Sequence, residues 1–373
     1  MKVAILSMQH VQNFGSLLQS YSLKKILENL GHTVCFMVPQ KNELDNSLLA
    51  GDTVDYSNIE GEGNGVISKI KKIDKYFFNR INEKKILNSQ NIEFDTFRNQ
   101  YLYQKDVNGR PVDACVIGSD EVFNLLQPSK WGFTSQLFGN ILEANIVITY
   151  AASCGSTKIE NVPELVSERI KESYKHISAF SVRDINTKNF VNNLTDKKVD
   201  IHLDPVVIGN FDQEIESANF PTDVPKKYCL IYSYYNRINN PKEICAIKQF
   251  CKNNGFEIIS LGAPQMWIKK HIVCSPFEAL RIFKNANFVI TDTFHGTIFS
   301  AKYSKFFAVI SRESNKNKVF DLVERLQITD HLVKDLDEIE NQLSSSHDKR
   351  IISEISEQEK ERALRYLRDN LTY

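Results

Sequence analysis

Apolar residues along the chain recur with two different spacings, and the two spacings alternate. Residues 2–8 form a short apolar run typical of a buried strand, and apolar side chains then recur at helical spacing from Leu17 until Gly31. Residues 33–38 form the next apolar run. A strand, a helix and a strand in this order predict the opening βαβ unit of a doubly wound sheet.

The segment from Pro39 to about Gln104 interrupts this pattern. It is rich in Asn, Lys and Glu, and Gly61, Gly63 and Gly65 mark a flexible loop within it, followed by amphipathic helical stretches. We interpret residues 40–104 as a variable insertion and a candidate lid.

Four short apolar runs follow the insertion and predict further strands, at 114–117, 146–151, 179–182 and 199–203. Three of these runs end in polar groups, at 118–120, 152–156 and 183–184. Because ligands of open α/β sheets bind outside the carboxyl ends of the strands, we expect these tips to line one crevice.

A second series of strands and helices begins after residues 211–226, which contain two prolines and are predicted to be a linker. The predicted strands are 229–232, 257–261, 287–290 and 306–310, and the predicted helices are 241–254, 277–285, one starting at 296, 319–326 and 357–371. The prediction is therefore an α/β protein with two Rossmann-like domains, 1–210 and 227–373, that face a cleft, and with a closing C-terminal helix.

Length and composition favour a soluble two-domain protein without a polyanionic partner. A chain of 373 residues is longer than one ordinary core accommodates, and 42% hydrophobic with 25% charged residues is typical of globular proteins. The 46 basic and 46 acidic residues cancel, so no global field favours nucleic acid.

The cysteines and apolar runs indicate a cytoplasmic location. The seven cysteines contain no C-x-x-C pair, which favours reduced thiols over disulfides or a zinc site. The N-terminal apolar run is too short for a signal peptide, and no run approaches the ~18 residues of a membrane span. A peripheral contact with the inner face of a membrane stays open.

Three strand tips carry candidate chemistry, each with a structural alternative. Asn13 and Gly15 lie in a strand-to-helix turn whose free N–H groups suit a phosphate or carboxylate, although an ordinary helix cap explains them equally well. Asp120 suits a sugar hydroxyl or a base, and it also suits a helix cap. Arg183 suits an anion held by two hydrogen bonds, or a buried ion pair with Asp184 or Asp120.

The stretch TDTFHGT, residues 291–297, follows a predicted buried strand. Asp292 or Thr293 can cap a helix there, and Gly296 leaves room for a ligand. His295 can both donate and accept a proton near neutral pH, although a lone histidine is usually structural. No H-E-x-x-H, D-x-D or carboxylate-rich motif predicts a metal site.

Taken together and in this order, the motifs resemble those of the polysaccharide pyruvyl transferase family. The stretches that carry the resemblance are NFGSLLQSYSL, CVIGSDEVFN, TYAASCG, FSVRD, LDPVVI and ITDTFHGTIFSAKYSKFFAVI. The resemblance implies two Rossmann-like domains similar to those of the GT-B glycosyltransferases. It also implies transfer of the pyruvyl group of phosphoenolpyruvate to sugar hydroxyls of a cell-surface polysaccharide precursor, usually as a cyclic ketal. Phosphoenolpyruvate is then a co-substrate, no separate cofactor is expected, and the acceptor is a lipid-linked glycan.

The resemblance also implies roles for particular residues. His295 is the general acid and base, and Asp120 activates or orients the sugar hydroxyl. Arg183 binds the donor. The remaining predicted substrate-binding residues are Asn13, Gly15, Ser16, Ser153, Thr293, Phe294, Gly296 and Thr297.

One departure from the family bears on the donor. Characterised members often have Arg-Leu-His-Gly where this chain has Thr293-Phe294-His295-Gly296. The missing arginine would bind the donor, and a hydrogen bond to a charged group contributes ~1.5 to 3 kcal/mol. Either another cation therefore replaces this arginine, or the donor differs. The cations nearby in sequence are Lys305, Arg312 and Lys318.

Two further functions stay open at this point. The first is a glycosyltransferase of the same architecture that uses a nucleotide-sugar donor. The second is a non-catalytic member that binds a glycan or a partner protein.

Overall fold

A computed structural model describes residues 1–48, 73–102, 109–125, 131–333, 336–343 and 348–372. The first sheet comprises β1 (Lys2–Leu6), β2 (Thr33–Met37), β3 (Val112–Asp120), β4 (Ala144–Ala152), β5 (Phe180–Val182) and β6 (Val199–Ile201). Its order is β2-β1-β3-β4-β5-β6. The second sheet comprises β7 (Tyr228–Ser233), β8 (Glu257–Gly262), β9 (Lys270–Ile272), β10 (Phe288–Thr291), β11 (Phe307–Ile310) and β12 (Leu332–Val333), in the order β12-β11-β10-β7-β8-β9. All these strand pairs are parallel.

Helices connect the strands and cover the sheets. Those of the first half are α1 (Phe14–Asn29), α2 (Glu43–Ser47), α3 (Ile73–Phe97), α4 (Glu164–Tyr174), α5 (Ile185–Asn192), α6 (Pro205–Ile208) and α7 (Asp212–Ser217). Those of the second half are α8 (Pro241–Asn254), α9 (Pro276–Asn285), α10 (Phe294–Tyr303), α11 (Lys316–Arg325) and α12 (Lys349–Asn370). A π-helical turn, Arg98–Leu102, extends α3.

The predicted α/β fold with two parallel sheets is confirmed, with differences at short or capped elements. Strands β9 and β12 were not predicted, because β9 contains one apolar residue in its sequence KHI and β12 has only two residues, so neither forms an apolar run. Helix α10 begins at Phe294, two residues earlier than predicted, because Thr293 caps it. Helix α7 lies within the predicted linker, and α12 begins at Lys349, eight residues before its predicted start.

One apolar core runs through both halves of the chain. The ring of Phe14, at the start of α1, lies 4.9 Å from that of Phe94 on α3 and 6.2 Å from that of Tyr232 on β7. These three rings belong to a single buried cluster, while two smaller clusters fill the outer faces of the two sheets. The surfaces that meet between the two sheets are thus packed together rather than separated by solvent.

Helix α12 contacts both halves of the chain. Near its start, Lys349 Nζ donates to the Tyr303 carbonyl at 2.8 Å, and near its end Tyr366 Oη donates to the Thr149 carbonyl of β4 at 2.9 Å. The start of α12 therefore contacts α10 in the second half of the chain, and its end contacts β4 of the first sheet.

The described part of the insertion also bridges the two halves. On α3, Gln90 Nε2 donates to the Cys274 carbonyl at 2.8 Å, while Arg98 Nε, in the π-helical turn, donates to the Gln9 carbonyl at 2.8 Å. Gly61, Gly63 and Gly65, the predicted loop of the insertion, lie outside the described residues.

None of the described helices is long and apolar enough to cross a membrane. All seven cysteines are free thiols, and only Cys245 is exposed. Within the described ranges, no group of three or more His, Cys, Asp or Glu side chains is arranged to hold a metal ion.

Candidate functional site

Thr293 caps the helix that carries His295. The Gly296 N–H donates to Thr293 Oγ1 at 2.9 Å, and Thr297 Oγ1 donates to the Thr293 carbonyl at 2.9 Å. A Cβ at Gly296 would lie 2.1 Å from Thr291 Oγ1, so glycine is required for this turn to close. Thr293, Gly296 and Thr297 therefore shape the start of α10, where the first N–H groups of a helix have no intrahelical partner.

The other capping candidate, Asp292, instead joins strand ends. Its carboxylate is fully buried and accepts from Ser233 Oγ at 2.7 Å and from Arg312 Nε at 3.0 Å. Arg312 also donates to both carboxylate oxygens of Glu243, at 2.6 and 3.0 Å. Arg312, one of the candidate replacements for the missing arginine, is therefore already held by two carboxylates.

His295 lies against a buried carboxylate from the other half of the chain. Its Nε2 is 3.6 Å from Asp204 Oδ2, which is an ion-pair distance but longer than a hydrogen bond, and Nε2 has no hydrogen-bond partner among the described residues. Asp204 Oδ2 also accepts from Arg183 Nη1 at 3.1 Å. The Asp204 carboxylate thus contacts both His295, the predicted general acid and base, and Arg183, the predicted donor-binding cation.

Asp204 stays ionised although it is completely buried. Burial alone raises the pKa of Asp204, but His295, Arg183 and the Val206 N–H outweigh burial and lower the pKa to about 2. The Val206 N–H donates to Asp204 Oδ1 at 3.0 Å because Asp204 caps α6. Asp204 therefore places a buried negative charge 3.6 Å from His295 Nε2.

Arg183 is held between the two halves of the chain. Its guanidinium carbon lies 4.0 Å from the centroid of the Phe294 ring, and Nη1 is 3.7 Å from Asp120 Oδ1. Burial lowers the pKa of Arg183, but Asp204 and Asp120 outweigh burial and raise it above the usual value. Nε has no hydrogen-bond partner among the described residues. The expected ion pair with Asp120 is present at long range, and the closer pair is with Asp204.

Asp120 lies at the end of β3 in an unusual backbone conformation. Its φ of 73° is in the left-handed region, where backbone strain is often associated with functional sites. Ser16 Oγ donates to Asp120 Oδ2 at 2.6 Å, and the Ser16 N–H donates to Asn13 Oδ1 at 2.7 Å. Asn13 therefore caps α1, as one of the alternatives predicted, and Ser16 connects this cap to Asp120.

Gly15 contacts the His295 ring directly. A Cβ at Gly15 would lie 2.2 Å from His295 Nδ1 and 2.3 Å from its Cγ. The glycine predicted to permit a close approach does permit one, and the approaching group is the imidazole. Because Gly15 and His295 belong to different halves of the chain, this contact joins the two halves at the site.

Lys318 forms an ion pair with Glu121 beside this site. Lys318 Nζ donates to Glu121 Oε1 across the space between α11 and the end of β3. Burial raises the pKa of Glu121, but Lys318, Arg183 and Asn124 outweigh burial and lower it to about 2. Lys305, by contrast, is exposed and lies over the Phe306 ring at 5.0 Å. Of the three cations near in sequence, Lys318 is the one whose charge acts on the same carboxylate as Arg183.

Ser153 is placed in a structural hydrogen-bond network. It is fully buried, and its Oγ donates to Asp184 Oδ2 at 2.8 Å. Asp184 in turn caps α5 by accepting from the Thr187 N–H at 2.8 Å. The predicted substrate contact of Ser153 stays a prediction.

Helix α6, which starts at Asp204, is clamped by α10, the helix that carries His295. Lys302 Nζ donates to the carbonyls of Val206, Val207 and Gly209, at 2.8, 2.9 and 2.5 Å. Lys302 lies seven residues, about two helical turns, after His295. Contacts at both ends of α6 therefore fix Asp204 relative to His295.

The structure brings most predicted site residues to one place. His295, Arg183, Asp120, Ser16 and Gly15 form a continuous chain of contacts, with Asn13, Thr293, Phe294, Gly296 and Thr297 supporting it. Asp204, Lys302 and Glu121 were not among the site residues predicted from the sequence. Asp204 had a signal, since Asp before Pro after a strand is typical of a capping carboxylate.

Comparisons with known proteins bear on the fold and on the family. Among solved structures, the chain is similar to UDP-N-acetylglucosamine 2-epimerase from Rickettsia bellii, with 11% identity over 99% of this chain and 96% of that chain and a TM-score of 0.51. It is also similar to UDP-GlcNAc 2-epimerase from Methanocaldococcus jannaschii, with 12% identity over 99% of this chain and 100% of that chain and a TM-score of 0.47. A third similar structure is the spinosyn rhamnosyltransferase SpnG, with 11% identity over 99% of this chain and 99% of that chain and a TM-score of 0.45.

At such low identity these likenesses describe the fold alone, an α/β fold with two domains, and no curated protein matches the chain. The family is shown by sequence. A sequence model of the polysaccharide pyruvyl transferases matches residues 13–314, from the cap of α1 to beyond β11, which includes every residue of the contact chain around His295. The protein therefore belongs to the polysaccharide pyruvyl transferase family.

Proposed function

We propose that the protein transfers the pyruvyl group of phosphoenolpyruvate to two hydroxyls of a sugar, forming a cyclic ketal in a lipid-linked polysaccharide precursor at the cytoplasmic face of a membrane. The observation that carries this proposal is the contact of His295 and Arg183 with one buried carboxylate, Asp204. A proton donor and an anion-binding cation are the two groups that the reaction requires side by side.

In the proposed reaction, His295 donates a proton to the methylene carbon of phosphoenolpyruvate. Asp204 stabilises the protonated imidazole before the transfer, and the proton becomes part of the new methyl group. Carbon 2 is then electrophilic, and the first sugar hydroxyl bonds to it while its proton passes to a base. Asp120, oriented by Ser16, is the proposed base.

The second hydroxyl completes the ketal. The bond between carbon 2 and the phosphate oxygen breaks, phosphate leaves, and the second hydroxyl bonds to carbon 2. Of the two hydroxyl protons, one replaces the proton that His295 gave and the other leaves with phosphate. No electrons are gained or lost, so the reaction needs no redox cofactor.

Donor binding rests on two cations in this proposal. Arg183 provides a planar guanidinium with an unpartnered Nε, and Lys318 provides an ammonium close to the same carboxylates. Lys318 would then supply the charge that Thr293 lacks. Both cations are paired with carboxylates here, so a bound donor competes with Glu121 for Lys318 and with Asp120 for Arg183.

A thermal-shift titration with phosphoenolpyruvate tests the proposal. A ligand at ~100 times its dissociation constant stabilises a protein by ~2.7 kcal/mol, which is a readily measured shift. We expect wild type and Lys305→Met to respond, and Lys318→Met and Arg183→Lys to respond weakly or not at all. Arg183→Lys keeps the buried positive charge next to Asp204, so loss of folding does not confound the result. Stabilisation by UDP-sugars but not by phosphoenolpyruvate would contradict the proposal and favour a nucleotide-sugar donor.

A further inference from the structure

A cavity of about 250 Å³ adjoins His295, and neither Arg183 nor Asp204 is among its lining residues. It is formed by the start of α1, by α3 of the insertion, and by the ends of β7, β8 and β10. His295 and Thr293 are among its lining residues, so the cavity opens on the proposed acid and on the position where the family often has arginine.

The described lining of this cavity carries no Asp, Glu, Lys or Arg side chain. Its polar groups are the His295 imidazole, the amides of Gln12, Asn13, Gln90 and Asn91, and the hydroxyl groups of tyrosine, serine and threonine. Amides both donate and accept hydrogen bonds, as sugar hydroxyls do. A carboxylate or a phosphate group would find no Lys or Arg side chain in this lining, and the His295 imidazole is the one group there that can carry a positive charge. Burying an anion without a paired cation is costly.

Two tyrosines give the cavity an accessible aromatic wall. Tyr234 and Tyr235 follow β7 and remain 48% and 49% exposed, although large aromatic side chains usually bury most of their surface. Phe14, Phe94 and Leu87 add apolar surface opposite them. A pyranose ring has apolar C–H faces and a polar edge, which matches aromatic walls combined with amides.

The size of the cavity limits the ligand. Sites for drug-sized ligands usually measure ~300–1,000 Å³, so a cavity of about 250 Å³ accommodates one sugar ring rather than an oligosaccharide. The described part of the insertion supplies one wall, through Leu87, Gln90, Asn91 and Phe94. The insertion thereby becomes part of a binding site.

We propose that this cavity is the subsite for the acceptor sugar ring, and that the ring it selects is uncharged rather than a uronic acid or a sugar phosphate. This inference rests on the proposed function, since it assigns the acceptor to the uncharged side of His295 and the donor to the charged side. Thr293, at the position where the family often has arginine, adds no charge to the cavity.

The test uses methyl hexopyranosides, their methyl uronide counterparts and ligand-observed saturation-transfer NMR, which detects weak binding. We expect wild type to bind at least one neutral hexoside about tenfold or more tightly than its uronide. Leu87→Trp, which fills the cavity, should remove this binding, while Leu142→Trp, at a side chain 88% exposed, should keep it.

Binding of phosphoenolpyruvate to the same variants separates the two proposals. Retained donor binding by Leu87→Trp together with lost hexoside binding supports the subsite. The subsite is overturned if no neutral hexoside binds, if uronides bind as well or better, or if Leu87→Trp binds the hexoside like wild type. Failure of wild type to bind phosphoenolpyruvate would instead count against the proposed donor.

Discussion

Replacing Gly15 with alanine tests the contact between the two halves of the site. An ordinary van der Waals contact of a Cβ begins at 3.4 Å, whereas a Cβ at Gly15 would lie 2.2 Å from His295 Nδ1, so the two must separate by about 1.2 Å. Overpacking of this kind usually costs about 1–3 kcal/mol. The same change favours the α1 helix itself, because alanine exceeds glycine in helix propensity by up to about 1 kcal/mol.

A double-mutant cycle separates the steric cost of the new Cβ from the gain in helix propensity. We expect Gly15→Ala to lower the free energy of unfolding in the wild-type background. In the His295→Ala background the ring is absent and only the contact with the Cβ at position 295, at 2.8 Å, remains, so the loss should be smaller there. The expected coupling between the two substitutions is therefore about 1–3 kcal/mol, measured by denaturant unfolding. Ser217→Ala is a suitable control, since Ser217 is exposed and bonds only to carbonyls of its own helix.

The activity of Gly15→Ala gives a second readout. A displacement of about 1 Å can lower a catalysed rate by about 100-fold, so phosphate release should fall even though His295 and Asp204 are intact. A coupling within about 0.5 kcal/mol of zero, or wild-type phosphate release, would refute the reasoning that Gly15 and His295 meet in the working site.

Three further substitutions probe the surroundings of His295. The pKa of Asp204 is about 2 in the folded protein, against an ordinary value of 3.8. Its charge therefore contributes about 2 kcal/mol of stability above pH ~4, which is lost as the pH falls toward 2. The advantage of wild type over Asp204→Asn in unfolding free energy should shrink over that range, with Asp196→Asn, at an exposed aspartate, measured as the control. Lys302→Met removes the donor shared by the Val206, Val207 and Gly209 carbonyls, although Val207 keeps a second donor, Ser356 Oγ. It should lower the unfolding free energy by about 1–3 kcal/mol, unlike Lys305→Met, and equal stability of the two variants would contradict the clamp on α6. Phe294→Leu removes the ring beneath a buried guanidinium and should cost about 0.5–2 kcal/mol in the same assay, and no loss would exclude a contribution from that stacking.

Local patterns in the sequence were sufficient to predict the sheets and most of the site. Strands of four residues or more have an apolar run that is visible without a structure, and the carboxyl ends of neighbouring parallel strands must meet. That is why Asp120 and Arg183 could be expected near each other. The cap of α10 was assigned to either Asp292 or Thr293, since the choice depends on the tertiary contacts of Asp292 with Ser233 and Arg312.

Other features depend on contacts between distant parts of the chain. Asp204 and His295 are 91 residues apart in sequence, and nothing in LDPVVI alone indicates which side chain the carboxylate will meet. The role of Gly15 was anticipated as a close approach, but its partner, the His295 ring, was not. The contribution of α3 to the cavity was hidden because the insertion has a polar composition without a motif.

The most direct test of the account is product formation from phosphoenolpyruvate and a panel of methyl hexopyranosides, with phosphate release and the mass of the glycoside followed in parallel. The account predicts stoichiometric phosphate release, a glycoside that has gained one pyruvyl ketal, and loss of both in His295→Ala while that variant remains folded. Product formation at the wild-type rate in His295→Ala, or transfer of a sugar from a UDP-sugar with no reaction of phosphoenolpyruvate, would contradict it.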